Sequence, residues 1–296
     1  MKRKALFIIN PISGGKAKDD IPALIEKHID SSVFDFAIQF TQSGGHGAQL
    51  AKQAVLNQTD TVIAVGGDGT INEVASALVN TNVTFGIIPC GSGNGLSRFL
   101  DIPMDIEKAI ENLNTGRAEI IDTAAANDRS FFNMAGFGFD AHIAEVFSHQ
   151  KARGFFTYAK STFNEIVNYK PRTYHLNIDG EKYERRAFML SFANSSQYGN
   201  NAHVSPKASV QDGLLDVCII TKFPVWRFPE MAFRMFTKTA DGSKFVEIIK
   251  GKHIIVTQVQ PGPMHLDGEP FMITEDVEIN VVPGSLKIIV GDKYRS

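Results

Sequence analysis

The chain has 296 residues, of which 43% are hydrophobic and 21% are charged, and this composition excludes wholesale disorder, a collagen-like repeat and a coiled coil. Its 30 Lys and Arg residues against 32 Asp and Glu give a formal charge of −2, which argues against a dedicated nucleic-acid-binding protein, because such proteins carry a basic excess. At roughly 100–200 residues per domain, the length predicts two domains.

The cysteines and the apolar runs indicate the compartment. Cys90 and Cys218 stand far apart in the sequence, so we expect two buried thiols in a reducing cytosol rather than a disulfide framework or a zinc site. The apolar run at 5–9 is shorter than the roughly 7–15 residues of a signal core. No run approaches the roughly 18 residues that span a bilayer. We predict a cytoplasmic protein.

The first 125 residues alternate between two kinds of pattern. Short apolar runs indicate strands, and longer segments between them indicate helices. This alternation is typical of βαβ units with a parallel sheet, whose ligands bind at the carboxyl ends of the strands. The predicted strands are 5–9, 33–40, 61–65 and 84–88, and the predicted helices are 21–29, 47–56 and 72–79.

After residue 125 the pattern changes to β-type runs separated by turn signals such as Asp179-Gly180 and Asp212-Gly213. These predict a mainly antiparallel β-sandwich or barrel-like domain, so the fold class is an α/β domain over 1–125 followed by a β-rich domain over 126–283. The predicted strands are 174–178, 187–192, 215–220, 254–259, 277–282 and 286–290, with predicted helices at 140–147, 155–169 and 229–237.

The strongest local motif runs from Gly66 to Glu73 and reads GGDGTINE. It follows a predicted strand and leads into a predicted helix, where glycines allow a tight turn and backbone N–H groups suit phosphate. Asp68 could reach a magnesium ion or orient the nucleotide, and Thr70 is expected to cap the helix. The alternative is an ordinary strand-to-helix turn.

Two more glycine loops follow neighbouring strands. The first runs from Asn10 to Lys16, and the other runs from Pro89 to Gly95. Because three such loops lie at one edge of a parallel sheet, they predict a nucleotide cradle. Lys16 is either a phosphate contact or a solvated lysine.

The segment His265-Leu266-Asp267-Gly268-Glu269 is a hairpin turn in its plainest interpretation. The functional interpretation is that Asp267 and Glu269 present carboxylates toward a cleft between the domains. One of them would accept the proton of an attacking hydroxyl during phosphoryl transfer.

Over essentially its whole length, the chain resembles the diacylglycerol kinase catalytic-domain superfamily, in its bacterial soluble lipid kinase branch, which is related to sphingosine and ceramide kinases. The motifs stand in family order. They are 10–14, the GGDGT signature from Gly66, 91–94, 137–141, Asn194, Pro206, 212–216 and the catalytic-type Asp267-Gly268-Glu269.

The resemblance implies roles for individual residues. Glu269, with Asp267 beside it, would be the base, and Asp68 and Ser92 would hold the nucleotide or its magnesium. A structural divalent ion is expected at Asp212 with carbonyls near Ser209 and Leu214, although an Asx-type turn is an equal alternative. The residues implied to line the ATP site are Asn10, Pro11, Ile12, Ser13, Gly14, Thr41, Gly66, Gly67, Asp68, Gly69, Thr70, Ile71, Asn72 and Ser92.

Two further expectations follow from the resemblance. The last residues, 284–296, are expected to return to the first domain as a strand. The sequence departs from many bacterial members at Gly95, where they carry Asp, and this departure leaves the acceptor lipid open.

A lipid acceptor requires a face toward a membrane, and two aromatic and basic stretches, 151–172 and 222–250, are candidates. In the alternative, both are amphipathic helices with their aromatics packed inward. Trp226 is the best candidate for an exposed membrane contact.

The sequence therefore predicts an ATP- and Mg-dependent lipid kinase that phosphorylates a hydroxyl of diacylglycerol or a related lipid. The expected partner is lipid at a membrane surface, contacted transiently, with no nucleic acid and with a homodimer left open. The alternatives are an NAD-kinase-like enzyme acting on a soluble substrate and a non-catalytic nucleotide- or lipid-binding regulator.

Overall fold

The computed structural model describes residues 2–15, 18–148, 168–257 and 261–295. The chain divides into two compact units. The first comprises Met1–Thr123 with Val282–Ser296, and the second is Ala124–Val281. The two cuts come two residues before the predicted boundaries.

The first unit alternates strands and helices. Apolar runs with β-branched residues form its strands, and segments with one apolar face form its helices. The elements are β1 Arg3–Ile9, α1 Ile21–His28, β2 Phe34–Phe40, α2 His46–Leu56, β3 Thr61–Gly66, α3 Asp68–Ser76, β4 Thr84–Pro89, α4 Gly95–Phe99, α5 Ile106–Thr115 and β5 Ala118–Ala126.

The strands β2, β1, β3 and β4 lie in that order in one sheet, and every neighbouring pair is parallel. The end of the last strand, β16 Val277–Ile289, joins this sheet in parallel beside β4, with Ile288 opposite Phe85. Because all these strands run the same way, the loops that follow β1, β2, β3 and β4 lie at one edge.

The core of the first unit lies between the sheet and its helices. Phe7, Ile63 and Ile88 from the strands pack with Ile25 of α1 and Ile110 of α5. β3 is buried at every position, as expected for a central parallel strand that is covered on both faces.

The second unit consists mainly of strands. Its elements are β6 Arg129–Phe131, β7 Met134–Gly138, α6 Phe139–Ser148, β8 Arg172–Ile178, β9 Glu181–Ala187, β10 Met189–Ala193, β11 Leu215–Ile220, α7 Phe228–Phe236, β12 Val246–Gly251, β13 His253–Thr257, β14 Gly262–Leu266 and β15 Glu269–Ile273.

These strands form two antiparallel layers. One has the order β12-β11-β10-β7-β14-β15. The other contains β9, β8, β13 and the start of β16. Phe137 and Phe192 of the first layer pack in one buried cluster with Tyr174 and Val256 of the second, so the unit is a β-sandwich. The predicted fold class is confirmed.

Several predicted elements differ from the observed ones. The helix predicted at 72–79 begins at Asp68, directly after the glycine turn. The strand predicted at 187–192 is two strands that meet at Phe188. The strands predicted at 277–282 and 286–290 are one strand that continues through Gly284. All but the last two residues of the predicted helix 155–169 lie outside the described residues, as do residues 258 and 259 of the predicted strand 254–259.

Other elements were not predicted. These are α4, α5, β5, β6, β7, β9, β12, β14 and β15. Within the described ranges, no helix is both long enough and apolar enough to cross a membrane.

Candidate active site

Three glycine loops of the first unit are packed backbone against backbone at the carboxyl edge of the sheet. Gly14 has φ of 66°, and a Cβ added to it would stand 2.0 Å from the carbonyl oxygen of Cys90. A Cβ on Gly91 would stand 2.7 Å from the Cα of Gly67. No other residue allows these approaches, so the glycines bring together the loops after β1, β3 and β4.

Asp68, the first residue of α3, joins two of these loops. Its carboxylate accepts the backbone N–H of Asn94 at 2.9 Å and that of Gly95 at 3.0 Å. These N–H groups belong to the start of α4, where a carboxylate is favoured by the helix dipole. Asp68 therefore fixes the third loop relative to the glycine turn.

Asn94 closes the third loop on itself. It has the left-handed φ of 52°, which Asn tolerates better than most residues. Its Oδ1 accepts the N–H of Gly91 at 3.1 Å, and its Nδ2 donates to the carbonyl of Gly91 at 2.8 Å. Ser92, at the tip of this closed loop, is exposed.

Thr70 connects α3 to the first loop, and the prediction that it caps the helix is wrong. The N-cap is Gly67, which has no side chain to accept a hydrogen bond. Because α3 begins two residues before Thr70, its hydroxyl lies within the first turn and accepts from Asn10 Nδ2 at 2.9 Å. Asn10 Oδ1 accepts the N–H of Ile12 at 3.1 Å, so Asn10 also shapes the first loop.

Glu73 ties α3 to the start of α2, a role that was not predicted. Its carboxylate accepts the N–H of Gly45 at 2.8 Å and that of Gly47 at 3.2 Å. Thr41, which begins this segment after β2, donates its N–H to the carbonyl of Ile9. The sequence signal was a Glu that stands six residues after the Gly66-Gly67 turn at the end of a strand.

The GGDGTINE motif therefore connects three neighbouring segments. Asp68 binds the loop after β4, Thr70 binds the loop after β1, and Glu73 binds the segment before α2. The other residues predicted for the ATP site lie on the same loops, with Lys16 outside the described residues. Pro11 and Ser13 follow β1, Gly66 ends β3, and Gly69 and Asn72 belong to α3.

Cys90 lies in the loop after β4. Burial raises the pKa of its thiol against the opposing effect of Lys18, so the thiol stays uncharged near pH 7.

Asp267 of the second unit is half-buried, and backbone N–H groups hold its carboxylate. Its carboxylate accepts the N–H groups of Phe132, Asn133 and Met134 at 2.9–3.0 Å. Its own N–H donates to the carbonyl of Met134 at 2.8 Å. Asp267 has φ of 48° in the β14–β15 turn. These contacts fix the turn and the segment before β7 relative to each other.

A buried polar cluster supports the same turn. His265 Nδ1 accepts the N–H of Gly268 at 3.3 Å, and its Nε2 lies 3.1 Å from Asp140 Oδ2. With Nδ1 accepting, Nε2 carries the proton and donates to Asp140. Ser191 and Tyr198 also donate to Asp140 Oδ2, each at 3.0 Å. Burial and the Asp140 charge raise the pKa of Tyr198 well above its usual value, so its hydroxyl keeps its proton.

Glu269 is the first residue of β15 and is exposed. The turn before it is held by Asp267 and by His265, so the backbone of this exposed residue has a fixed position. This arrangement suits a general base, which must reach the proton it removes. The sequence analysis placed Asp267 and Glu269 side by side as catalytic carboxylates. In the structure Asp267 accepts three backbone N–H groups, whereas Glu269 is an exposed residue.

The loop before β11, where the resemblance implies a divalent ion, is held by a lysine. Lys250 Nζ contacts Asp212 Oδ2 at 2.8 Å and the buried Asp216 Oδ1 at 3.0 Å. Asp212 Oδ1 accepts the N–H of Leu214 at 3.1 Å, and Ser209 Oγ accepts that of Gln211 at 3.2 Å. Partial burial alone would lower the pKa of Lys250, but hydrogen bonds to the two carboxylates outweigh it and raise the pKa.

These contacts do not fit a metal ion at Asp212, because an ammonium group already neutralises its carboxylate. Nor does the described part of the chain contain a group of three or more His, Cys, Asp and Glu side chains arranged to hold a metal. Mg²⁺ that accompanies a nucleotide needs only one or two carboxylates besides the phosphates, and Asp68 at the glycine loops fits that requirement.

The comparisons with known proteins agree with this architecture. Residues 4–126 match the diacylglycerol kinase catalytic domain, and residues 133–290 match the YegS C-terminal NAD kinase beta sandwich-like domain. An α/β unit with glycine loops at the edge of its sheet, followed by this kind of sandwich, is the domain order of a class of kinases.

Similar proteins cover nearly the whole chain. An uncharacterized protein of Synechocystis is 30% identical, over 95% of this chain and 69% of its own length. A diacylglycerol kinase of Bacillus subtilis is 27% identical over 90% of each chain. A crystal structure of a diacylglycerol kinase from Bacillus anthracis has the same fold, with a TM-score of 0.76 at 22% identity over 98% of this chain and 97% of that one.

The chain belongs to the family of the diacylglycerol kinases and the YegS-like lipid kinases. The predicted resemblance is confirmed. Membership in this family supports a kinase, and a kinase family implies ATP as the phosphate donor.

Proposed function

We propose that this protein transfers the γ-phosphoryl group of ATP to a hydroxyl of a lipid, with diacylglycerol or a related lipid as the acceptor. The observation that carries the proposal is the exposed Glu269 on a turn that Asp267 and His265 hold in place by hydrogen bonds. A hydroxyl needs a fixed base of this kind to lose its proton as it attacks phosphorus.

The residues of the first unit bind and orient the nucleotide. The loops after β1, β3 and β4 and the first turn of α3 present backbone N–H groups, which suit phosphate oxygens. Asp68 keeps the third loop in place and is the carboxylate expected to approach the magnesium ion of MgATP. When bound, MgATP supplies the transferred group and part of the charge neutralisation.

In the second unit, Glu269 accepts the proton of the lipid hydroxyl. A bond forms between the hydroxyl oxygen and the γ-phosphorus, and the bond between that phosphorus and the β,γ-bridging oxygen breaks. The products are a phosphorylated lipid and ADP, and the proton leaves Glu269 for solvent.

The test is a transfer assay with γ-labelled ATP, Mg²⁺ and mixed micelles that contain diacylglycerol, monoacylglycerol, ceramide, sphingosine or phosphatidylglycerol, with NAD as a soluble acceptor. Label in a lipid supports the proposal and identifies the acceptor. Label in NAD alone would replace it with the NAD-kinase-like alternative. ATP binding without any transfer would favour the regulator.

A further inference from the structure

One helix of the second unit exposes aromatic side chains on a single face. Trp226 is 78% exposed, Phe233 is 66% exposed and Phe236 is 60% exposed. We call these three residues the aromatic face. The spacing of seven and then three residues places them on one side of α7 and the 3-10 turn Val225–Arg227 before it.

The opposite side of α7 packs on the protein. Met231 is buried, Phe228 packs with Phe139 and Phe188, and Met235 belongs to a second apolar cluster. The helix is therefore already anchored by its inner side. The aromatic face lies on the other, exposed side of the helix. The other large hydrophobic side chains exposed in the described ranges lie on other elements, at Ile12, Phe40, Leu56, Ile120 and Met272.

The charge around the aromatic face is positive although the whole chain is not. Glu230 lies between Arg227 and Arg234, at 2.9 and 3.1 Å, and Asp241 pairs with Lys207 at 2.8 Å. Six cations on or beside these elements stand against two carboxylates, an excess of four, whereas the formal charge of the chain is −2. The six are Lys207, Lys222, Arg227, Arg234, Lys238 and Lys244.

We propose that the aromatic face docks on the surface of a bilayer that contains anionic lipids. Trp and Phe side chains partition into the boundary between headgroups and acyl chains, and each nearby Lys or Arg is attracted by an anionic leaflet. A protein interface depletes lysine at its core, whereas this surface carries several lysines around its aromatics. The proposed lipid acceptor makes a bilayer the expected partner, and in that respect the inference rests on the proposed function.

The chain contains a single tryptophan, so its intrinsic fluorescence reports on the aromatic face directly. We expect Trp226 emission to shift to shorter wavelength when vesicles of phosphatidylcholine and phosphatidylglycerol are added without nucleotide. Vesicles of phosphatidylcholine alone should give a smaller shift, and salt should reduce the shift with anionic vesicles because it screens the cations.

Two variants separate the apolar and the charged contributions. Phe233→Ser with Phe236→Ser should weaken co-sedimentation with anionic vesicles, and Lys238→Glu with Lys244→Glu should weaken it on the order of tenfold or more. Because all four side chains lie at the surface, the variants should fold, and circular dichroism checks this. The matched controls, Leu56→Ser and Lys52→Glu, alter exposed residues of α2 and should sediment like the original protein.

An unshifted Trp226 spectrum with both kinds of vesicle would overturn the proposal, as would equal binding by the variants and the original protein. Those results would point to a protein partner for the aromatic face. They would leave the proposed kinase reaction intact, since lipid in detergent micelles can be phosphorylated without bilayer docking. Absence of transfer with normal vesicle binding would instead contradict only the kinase reaction.

Discussion

At the scale of single residues, the two carboxylates of the β14–β15 turn have separate tasks. Asp267 holds three backbone N–H groups, whereas Glu269 is exposed. A buried or partly buried acceptor that serves several donors stabilises the fold, and an exposed side chain contributes little. Stability should therefore depend on Asp267, and catalysis should depend on Glu269.

We predict that Asp267→Ala lowers the free energy of unfolding by about 2–3 kcal/mol, because it leaves three N–H groups without their acceptor. Glu269→Ala should change it by less than about 0.5 kcal/mol. Urea unfolding followed by circular dichroism measures both values. Equal losses in the two variants would contradict this division of tasks.

The sequence identified the residues of the glycine loops but not what their side chains contact. Asp68, Thr70 and Asp267 are all bound to backbone or to another loop residue, and these partners lie far away in the chain. The pairing of His265 with Asp140 joins positions 125 residues apart. Such contacts depend on how the strands are arranged in space, which a single sequence does not specify.

At the scale of elements, apolar strands and the helices between them were predicted well in the first unit, because parallel strands buried on both faces give continuous apolar runs. β11, buried at all six positions, was predicted with its observed bounds. β9 and β15 were missed because they contain charged residues or proline and are partly exposed. The short helix α4 was missed because it begins at glycine.

The loop before β11 allows a test of what holds an element in place. In the structure, the Lys250 ammonium group joins Asp212 to Asp216. We predict that a chelator leaves the melting temperature of the protein unchanged. Lys250→Met should lower stability by about 1–3 kcal/mol, less than the loss for a fully buried pair because the lysine side chain is 40% exposed.

Added Mg²⁺ or Ca²⁺ should restore part of this loss in Lys250→Met, because the two carboxylates then lack their cation. Lys252→Met, which alters an exposed lysine two residues away, is the control and should behave like the original protein. If the chelator destabilises the original protein, a metal ion rather than Lys250 holds the loop.

At the scale of the whole molecule, the chain returns to its first unit at the end. Asn80 donates its N–H to the carbonyl of Ser285, and Asn112 Nδ2 donates to that of Val290 at 3.3 Å. Val290 and Gly291 donate to carbonyls of Arg117 and Leu100. The first unit therefore includes a strand segment that follows the whole second unit in the sequence.

We predict that a chain ending at Val281 loses the cooperative folding of its first unit, because β4 then loses a neighbouring strand and Ile288 and Ile289 leave the core. Hydrogen exchange should show loss of protection in β3 and β4. A chain ending at Asp292 keeps these contacts and is the control. Normal protection without residues 282–296 would contradict the prediction.

The fold class was predictable because alternation of strands and helices, followed by β-type runs, survives errors in individual boundaries. The acceptor lipid was not predictable. It depends on the shape of a binding site, and a single sequence does not specify that shape.

The most direct test of the account is label transfer from γ-labelled ATP to the best lipid of the panel by the original protein, Glu269→Gln and Glu275→Gln. We predict that Glu269→Gln loses about 100- to 10,000-fold in rate, the range for removal of a general base, while binding ATP normally. Glu275→Gln, the same change at an exposed position six residues later, should retain full activity. Full activity in Glu269→Gln would contradict the assignment of Glu269 as the base, and with it the central claim.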